Sequence, residues 1–242
     1  METLLEQSAR LLNYTSLDFK RYLHTDINWK ERLIGIKGAR GVGKTTLLLQ
    51  HLKELALPAS KAAYFAMDDL YFSGHSLKET SDIFYKKGGR VLALDEVHKY
   101  PGWSGEIKNL YDFYPDLQIF FTGSSIIDIT KEAGDLSRRA LLYDLPGLSF
   151  REYLIMKGIA NFQALALKEV LFQPESYSEL SGEKFSPLEH FTDYLKQGYY
   201  PFGVQHPETL YQRINQVVRT SVEIEMAELP TFDIRNAKKC SS

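Results

Sequence analysis

The chain has 242 residues, 44% of them hydrophobic and 25% charged, enough apolar content to close a core without disulfide staples. A net charge of −2 excludes a whole-domain basic footprint for nucleic acid, and no apolar run approaches the ~18 residues of a membrane span. The single cysteine, Cys240, excludes an internal disulfide and fits a reducing compartment; residues 1–10 carry acids before any basic residue and no apolar core, so no signal peptide is read and the expected location is cytoplasmic.

In chain order, Leu4, Leu5, Leu11 and Leu12 share one helical face over 3–12. Leu17, Tyr22 and Leu23 repeat the pattern over 16–24, which predicts two helices before the first strand. Tyr14 or Tyr22 is placed to stack on a base, but packing against the core is the plainer role. Residues 32–37 form a short, β-branched apolar strand. They run into Gly38-Ala39-Arg40-Gly41-Val42-Gly43-Lys44-Thr45-Thr46. This reads G-x-x-x-x-G-K-T, followed by a helical composition that must end before Pro58. Strand, glycine loop and helix are the context that a phosphate-binding loop needs. The dinucleotide pattern G-x-G-x-x-G has different spacing and is excluded.

The chemistry explains the residue types. Gly38, Gly41 and Gly43 let bare backbone approach a ligand closely. Successive N–H groups form an anion nest at the positive end of a helix. Lys44 reaches β- and γ-phosphates as a mobile point charge. Thr45 offers a hydroxyl to Mg²⁺ bridging the same phosphates.

Further on, 62–67 is a second strand, followed by Asp68-Asp69, read as a cap or solvated turn. A helix over 76–85 opens with Ser76-x-x-Glu79, a capping-box pattern. Residues 90–94, Arg90-Val91-Leu92-Ala93-Leu94, are a near-continuous apolar run, as in a strand buried on both faces, and lead into Asp95-Glu96. Apolar residues followed by Asp-Glu form a Walker B pattern. Asp95 orders the metal shell, and Glu96 polarises the attacking water as general base. A small phosphate-loop kinase has no need of the second acid. His98 follows closely and reads as packing, with contact to the Glu96 water network as the alternative. Trp103 reads as core. A helix over 105–114 precedes a strand over 117–122, which ends in Thr122-Gly123-Ser124-Ser125. In a sheet of order 5-1-4-3-2 that strand lies between the Lys44 and Asp95 strands. A serine there, Ser124 preferred, is expected to read the γ-phosphate or orient water; capping the helix over 126–132 is the alternative. Arg138 and Arg139 precede a fifth strand over 140–145. Ser149-x-x-Glu152 then opens a helix to 157. Helices follow over 162–172, 188–197 and 208–228, with a polar loop over 173–187 and a turn-rich aromatic bridge over 198–203.

The set G-A-R-G-V-G-K-T-T, V-L-A-L-D-E-V-H-K, F-F-T-G-S-S and L-Y-D-L-P-G-L-S-F-R-E-Y-L resembles prokaryotic AAA+-type ATPases. It is similar to those joining an AAA-type domain to a C-terminal nuclease-like domain of unknown role. The last motif is the most specific, and the resemblance covers about residues 15–230. It implies ATP and Mg²⁺ as ligands and a homo-oligomer in which an arginine before the fifth strand faces the neighbouring subunit's nucleotide. Related proteins carry Gly-Arg there. Arg138 takes the glycine's place, which leaves Arg139 as the better finger candidate. Related chains run longer; this one stops at Lys238-Lys239-Cys240-Ser241-Ser242, so the nuclease-like domain is expected to be absent, and with it support for nucleic-acid activity.

The resulting expectation is an α/β P-loop NTPase. It has a five-stranded parallel sheet of order 5-1-4-3-2 flanked by helices in residues 1–148, and a smaller helical lid region in 149–242. The expected reaction is Mg²⁺-dependent ATP hydrolysis coupled to an unknown partner. A nucleotide-controlled switch with little turnover and a small-molecule kinase are the rival readings. No guanine-reading N-K-x-D motif is present.

Overall fold

The computed structural model describes residues 1–123, 136, 138–161, 165–172 and 186–220. It divides into two compact units, Met1–Pro146 and Gly147–Ser242.

The first unit is built on five strands: β1 Leu33–Lys37, β2 Ala62–Ala66, β3 Val91–Asp95, β4 Gln118–Gly123 and β5 Leu141–Asp144. Their spatial order is β2-β3-β4-β1-β5, and every pairing is parallel. This is the expected 5-1-4-3-2 sheet of a P-loop NTPase. Parallel strands need covered faces, and the sequence supplies them with apolar runs. All of β3 is buried, and Ile34, Leu92, Leu94, Phe120 and Phe121 are fully inaccessible. Each such side chain contributes roughly 1.5–3 kcal/mol of burial. At the β5 edge the pattern relaxes, and Leu141 and Leu142 are exposed.

Helix α1, Glu2–Tyr14, turns Leu4, Ser8 and Leu12 inward. Ser8 Oγ accepts the N–H of Tyr64 at 2.9 Å. That bond satisfies a backbone donor of β2, whose only ladder partner among the described residues is β3, and it helps cover this edge of the sheet. Beyond α2, Leu23–Asp26, lie α3, Lys44–Glu54, α4, Leu77–Lys86, and α5, Trp103–Phe113. Asp69 caps a 3₁₀ turn over Leu70–Ser73. Trp103 is in the core, its ring 5.5 Å from that of Phe121.

The helix predicted over 16–24 is confined to α2. Its first half fails for a physical reason: the backbone is claimed by other partners. Ser16 Oγ accepts from Asp18 N, a local turn that competes with helix. Gln50 on α3 donates to the carbonyls of Ser16 and Phe19, and Lys53 donates to those of Asn13 and Thr15. The segment is strapped across α3 by side-chain bonds instead of winding on itself. The box expected at Ser76 is half formed. Ser76 accepts from Glu79 N, while the acid meeting Lys78 N is Glu106 of α5, at 2.7 Å.

The second unit is helical: α6 Phe150–Met156, α7 Leu167–Phe172, α8 Pro187–Gln197, α9 Pro201–Gln205 and α10 Leu210–Thr220. The Ser149–Glu152 capping box is complete at the start of α6. Phe150 and Tyr153 meet Tyr194 at ring separations of 5.5 and 5.6 Å. The bridge predicted over 198–203 contains a helix instead, α9, because Pro201 sits at its first turn, where its fixed φ favours helix and its missing N–H costs nothing. The helix expected over 126–132 and most of the loop expected over 173–187 lie outside the described residues. Among the described residues no helix is long and apolar enough to cross a membrane.

Candidate nucleotide site

Strand β1 delivers the chain to the glycine loop at the carboxyl edge of the sheet. Two glycines there have no substitute. Gly43, which caps α3, lies at φ 101° and ψ 23°, a conformation that L side chains rarely adopt. A Cβ on Gly38 would sit 2.3 Å from the carbonyl oxygen of Leu145. Val42 is fully buried and anchors the loop, while Ala39, Arg40, Gly41 and Thr46 are exposed. Lys44 is buried, and its Nζ donates to Gly38 O at 2.9 Å and Ala39 O at 3.1 Å. The amine thus lies along the loop whose ligand it would hold.

Arg21 braces the loop from behind. Its buried guanidinium donates to Val42 O at 2.6 Å and to Pro146 O at 2.8 Å. Both carbonyls belong to irregular backbone, which must find donors when buried. The sequence carried no signal for this role, since an arginine in a segment read as an amphipathic helix looks solvated.

Asp95, at the end of β3, is the hub of the site. Its Oδ2 accepts from Thr45 Oγ1 at 2.6 Å and from Tyr64 OH at 2.8 Å. Its Oδ1 accepts from Thr122 Oγ1 of β4. Burial, reinforced by the Asp95 charge, pushes the Tyr64 hydroxyl well above its ordinary pKa, so it remains a donor. Glu96 follows in the left-handed region, φ 54° and ψ 43°, an uncommon state for a residue with a side chain and one that concentrates at functional sites. Its N–H donates to Thr122 Oγ1 at 3.0 Å. Glu96 Oε1 lies 3.8 Å from Lys44 Nζ, and Oε2 lies 3.5 Å from Nε2 of the buried His98.

The structure therefore brings together the loop Gly38–Thr46, Asp95 and Glu96, sets His98 beside Glu96, and adds Arg21, Tyr64 and Thr122. Ser124 lies outside the described residues. Thr122, near the end of β4, meets both acids, donating to Asp95 Oδ1 and accepting from Glu96 N. Arg139 stands apart from this cluster: its Nε and Nη2 hold Asp112 of α5 in a two-point pair at 2.9 and 3.0 Å. The donor set fits a magnesium–nucleotide complex. Oxygen ligands suit Mg²⁺, and Thr45 and Asp95 already place a hydroxyl and a carboxylate side by side next to a buried ammonium group.

A family model described as an AAA domain matches residues 30–154, just over half of the chain and all of this site except Arg21. The chain belongs to the AAA-domain family. This makes it a member of the nucleotide-binding P-loop ATPases. An uncharacterized protein of Methanocaldococcus jannaschii is 31% identical over 234 residues, covering 90% of this chain and 48% of its own length. The chain thus spans about half the length of the curated relative it matches. Among solved structures, a replication initiator DnaA bound to AMPPCP and single-stranded DNA matches at TM-score 0.48 and 17% identity, covering 96% of this chain and 68% of that one. C. elegans PCH-2 matches at TM-score 0.37 and 17% identity, covering 64% and 44%. Likenesses this distant carry no argument about what the AAA domain here does. The chemistry rests on its own residues.

Proposed function

We propose that this AAA domain binds ATP on the loop Gly38–Thr46 and hydrolyses it to ADP and phosphate with Mg²⁺. The observation that carries the reading is the Thr45–Asp95 contact at 2.6 Å, with Lys44 and Glu96 3.8 Å apart beside it. Loop amides and Lys44 receive the phosphates and stabilise charge as it develops on them. Thr45 and Asp95 would hold Mg²⁺, which when bound neutralises phosphate charge and aligns the β- and γ-oxygens. Glu96 orients a water for in-line attack and accepts its proton on a carboxylate oxygen. Thr122 fixes both acids, holding the Asp95 carboxylate through its hydroxyl proton and the Glu96 backbone through its lone pair. Ser124 is assigned a part in reading the γ-phosphate, and Arg139 in completing a neighbour's site. Residues 1–148 are assigned as the ATPase core and 149–242 as its helical accessory region, acting inside the cell on a partner that the site chemistry does not name.

The test measures phosphate release from Mg²⁺·ATP without any acceptor, alongside nucleotide affinity by calorimetry. Lys44→Ala is expected to lose ATP binding. Glu96→Gln is expected to retain ATP and lose about 10²-fold or more of its turnover. Equal phosphate release by Glu96→Gln and parent would overturn the general base. Tightly held nucleotide with no release by the parent would make the chain a nucleotide switch instead, and release only after adding an acceptor would make it a kinase.

A further inference from the structure

On the far side of α3 from its nucleotide-facing end, three metal-ligating side chains converge: His24 of α2, and His51 and Glu54, three residues apart on α3. One ligand atom from each lies within 4.8 Å of the other two. His24 Nε2 and Glu54 Oε2 are 3.0 Å apart. Yet Nε2 is buried and makes no hydrogen bond among the described residues. Ring nitrogen and carboxylate oxygen are at contact distance but are not aimed at each other, as two ligands directed at a common third point would be. Orphaned buried nitrogens are uncommon in native structures and ask for a reason.

The surroundings hold the donors in place. The indole of Trp29 stacks on the His51 ring at 3.8 Å and 7°, and Phe120 meets the same ring edge-on at 5.2 Å. Trp29 Nε1 donates to the carbonyl of His24 at 2.8 Å. Burial lowers the pKa of both imidazoles, that of His51 to about 4. Glu54 is kept ionised by Lys20, whose Nζ bonds Oε1 at 2.5 Å and leaves Oε2 toward the histidines.

We infer that His24, His51 and Glu54 form a binding site for one divalent transition-metal ion of the zinc type, which joins the segment before β1 to the end of the phosphate-loop helix. Two imidazoles and a carboxylate are a recurrent zinc donor set, and they leave a fourth position for water. Bonds of ~2.0–2.1 Å place tetrahedral ligand atoms about 3.4 Å apart, so His24 and Glu54 are already at working separation. The remaining closure is a rotation of side chains. Nitrogen donors favour this class of ion over Mg²⁺, which takes oxygen ligands. The site is separate from the Thr45–Asp95 pair and independent of the ATPase reading.

The probe is Zn²⁺ alone, titrated into nucleotide-free protein in excess Mg²⁺, with affinity read by competition against a chromophoric chelator. Co²⁺ is substituted to report tetrahedral coordination by its visible absorption. One ion per chain is expected, with binding weakened at least about tenfold in Glu54→Ala and in His24→Gln. Glu54 is exposed, so its variant keeps the parent's far-ultraviolet circular dichroism even if His24→Gln does not. Absence of stoichiometric binding by the parent, or binding unchanged in folded Glu54→Ala, overturns the site.

Discussion

At the residue scale, the site is organised by what Asp95 needs. A buried carboxylate is tolerated only when its lone pairs are filled, and here three hydroxyls fill them, from Thr45, Tyr64 and Thr122. Thr122→Val keeps the shape and removes the hydroxyl, leaving one oxygen of Asp95 and the N–H of Glu96 short of a partner. The expected result is a loss of about 1–3 kcal/mol of stability by chemical denaturation. Phosphate release should fall at least about tenfold while ATP affinity stays near the parent's. A parent-like rate would show that Glu96 does not depend on Thr122. Tyr64→Phe removes a donor to Asp95 without touching Glu96. It should cost stability on the same scale and turnover less. The motif reading did not single out Thr122, and strand pairing explains its place: Leu94 faces Phe121 and Lys37 faces Gly123, so Thr122 is the residue level with the acid.

At the element scale, the loop and helices separate glycines that are required from glycines that are not. In Gly38→Ala the new Cβ meets a backbone carbonyl at 2.3 Å, and backbone cannot swing aside as a side chain can. Thermal unfolding should show a loss of about 1–3 kcal/mol, and calorimetry a weakened affinity for ATP. Gly105 lies within α5, and a Cβ there would meet nothing within 4 Å. Gly105→Ala should therefore raise stability by about 0.5–1 kcal/mol, the difference in helix propensity. A destabilised Gly105→Ala protein would mean that α5 needs freedom at that turn. Periodicity located α1, which turns Leu4, Ser8 and Leu12 inward. It failed over 16–22, where Gln50 takes the carbonyls of Ser16 and Phe19, since period says nothing about hydrogen bonds arriving from another element.

At the scale of the whole molecule, the open question is assembly. Arg139 rests in a two-point pair with Asp112 on an exposed surface, and such pairs are weak enough to exchange. If Arg139 serves a neighbouring subunit's nucleotide, Arg139→Ala should lower turnover on the order of 10³-fold with little change in nucleotide affinity. Mixing it with Lys44→Ala protein should restore activity, because some mixed sites then contain both an intact loop and an intact finger. Full activity of Arg139→Ala alone would refute the role, and loss without rescue would confine it to one subunit. Asp112→Asn leaves the guanidinium in place without its charge partner, so it should keep turnover at or above the parent's. A fall to the level of Arg139→Ala would mean that the pair is structural.

What the sequence determined by itself was whatever is encoded locally. The spacing of Gly38, Gly43, Lys44 and Thr45, the apolar run ending in Asp95-Glu96, and the alternation of strands with helices sufficed for the P-loop sheet, its order and the nucleotide-binding edge. Only the tertiary structure decided which distant residues complete that edge. Arg21 reaches Val42 and Pro146, Tyr64 reaches Asp95 from the neighbouring strand, and His24 meets Glu54 across 30 positions. These contacts join residues far apart in the chain, and Arg21, His24 and Glu54 each read alone as ordinary surface or core. Their meaning arises when parallel register and helix packing bring side chains from separate elements within bonding distance.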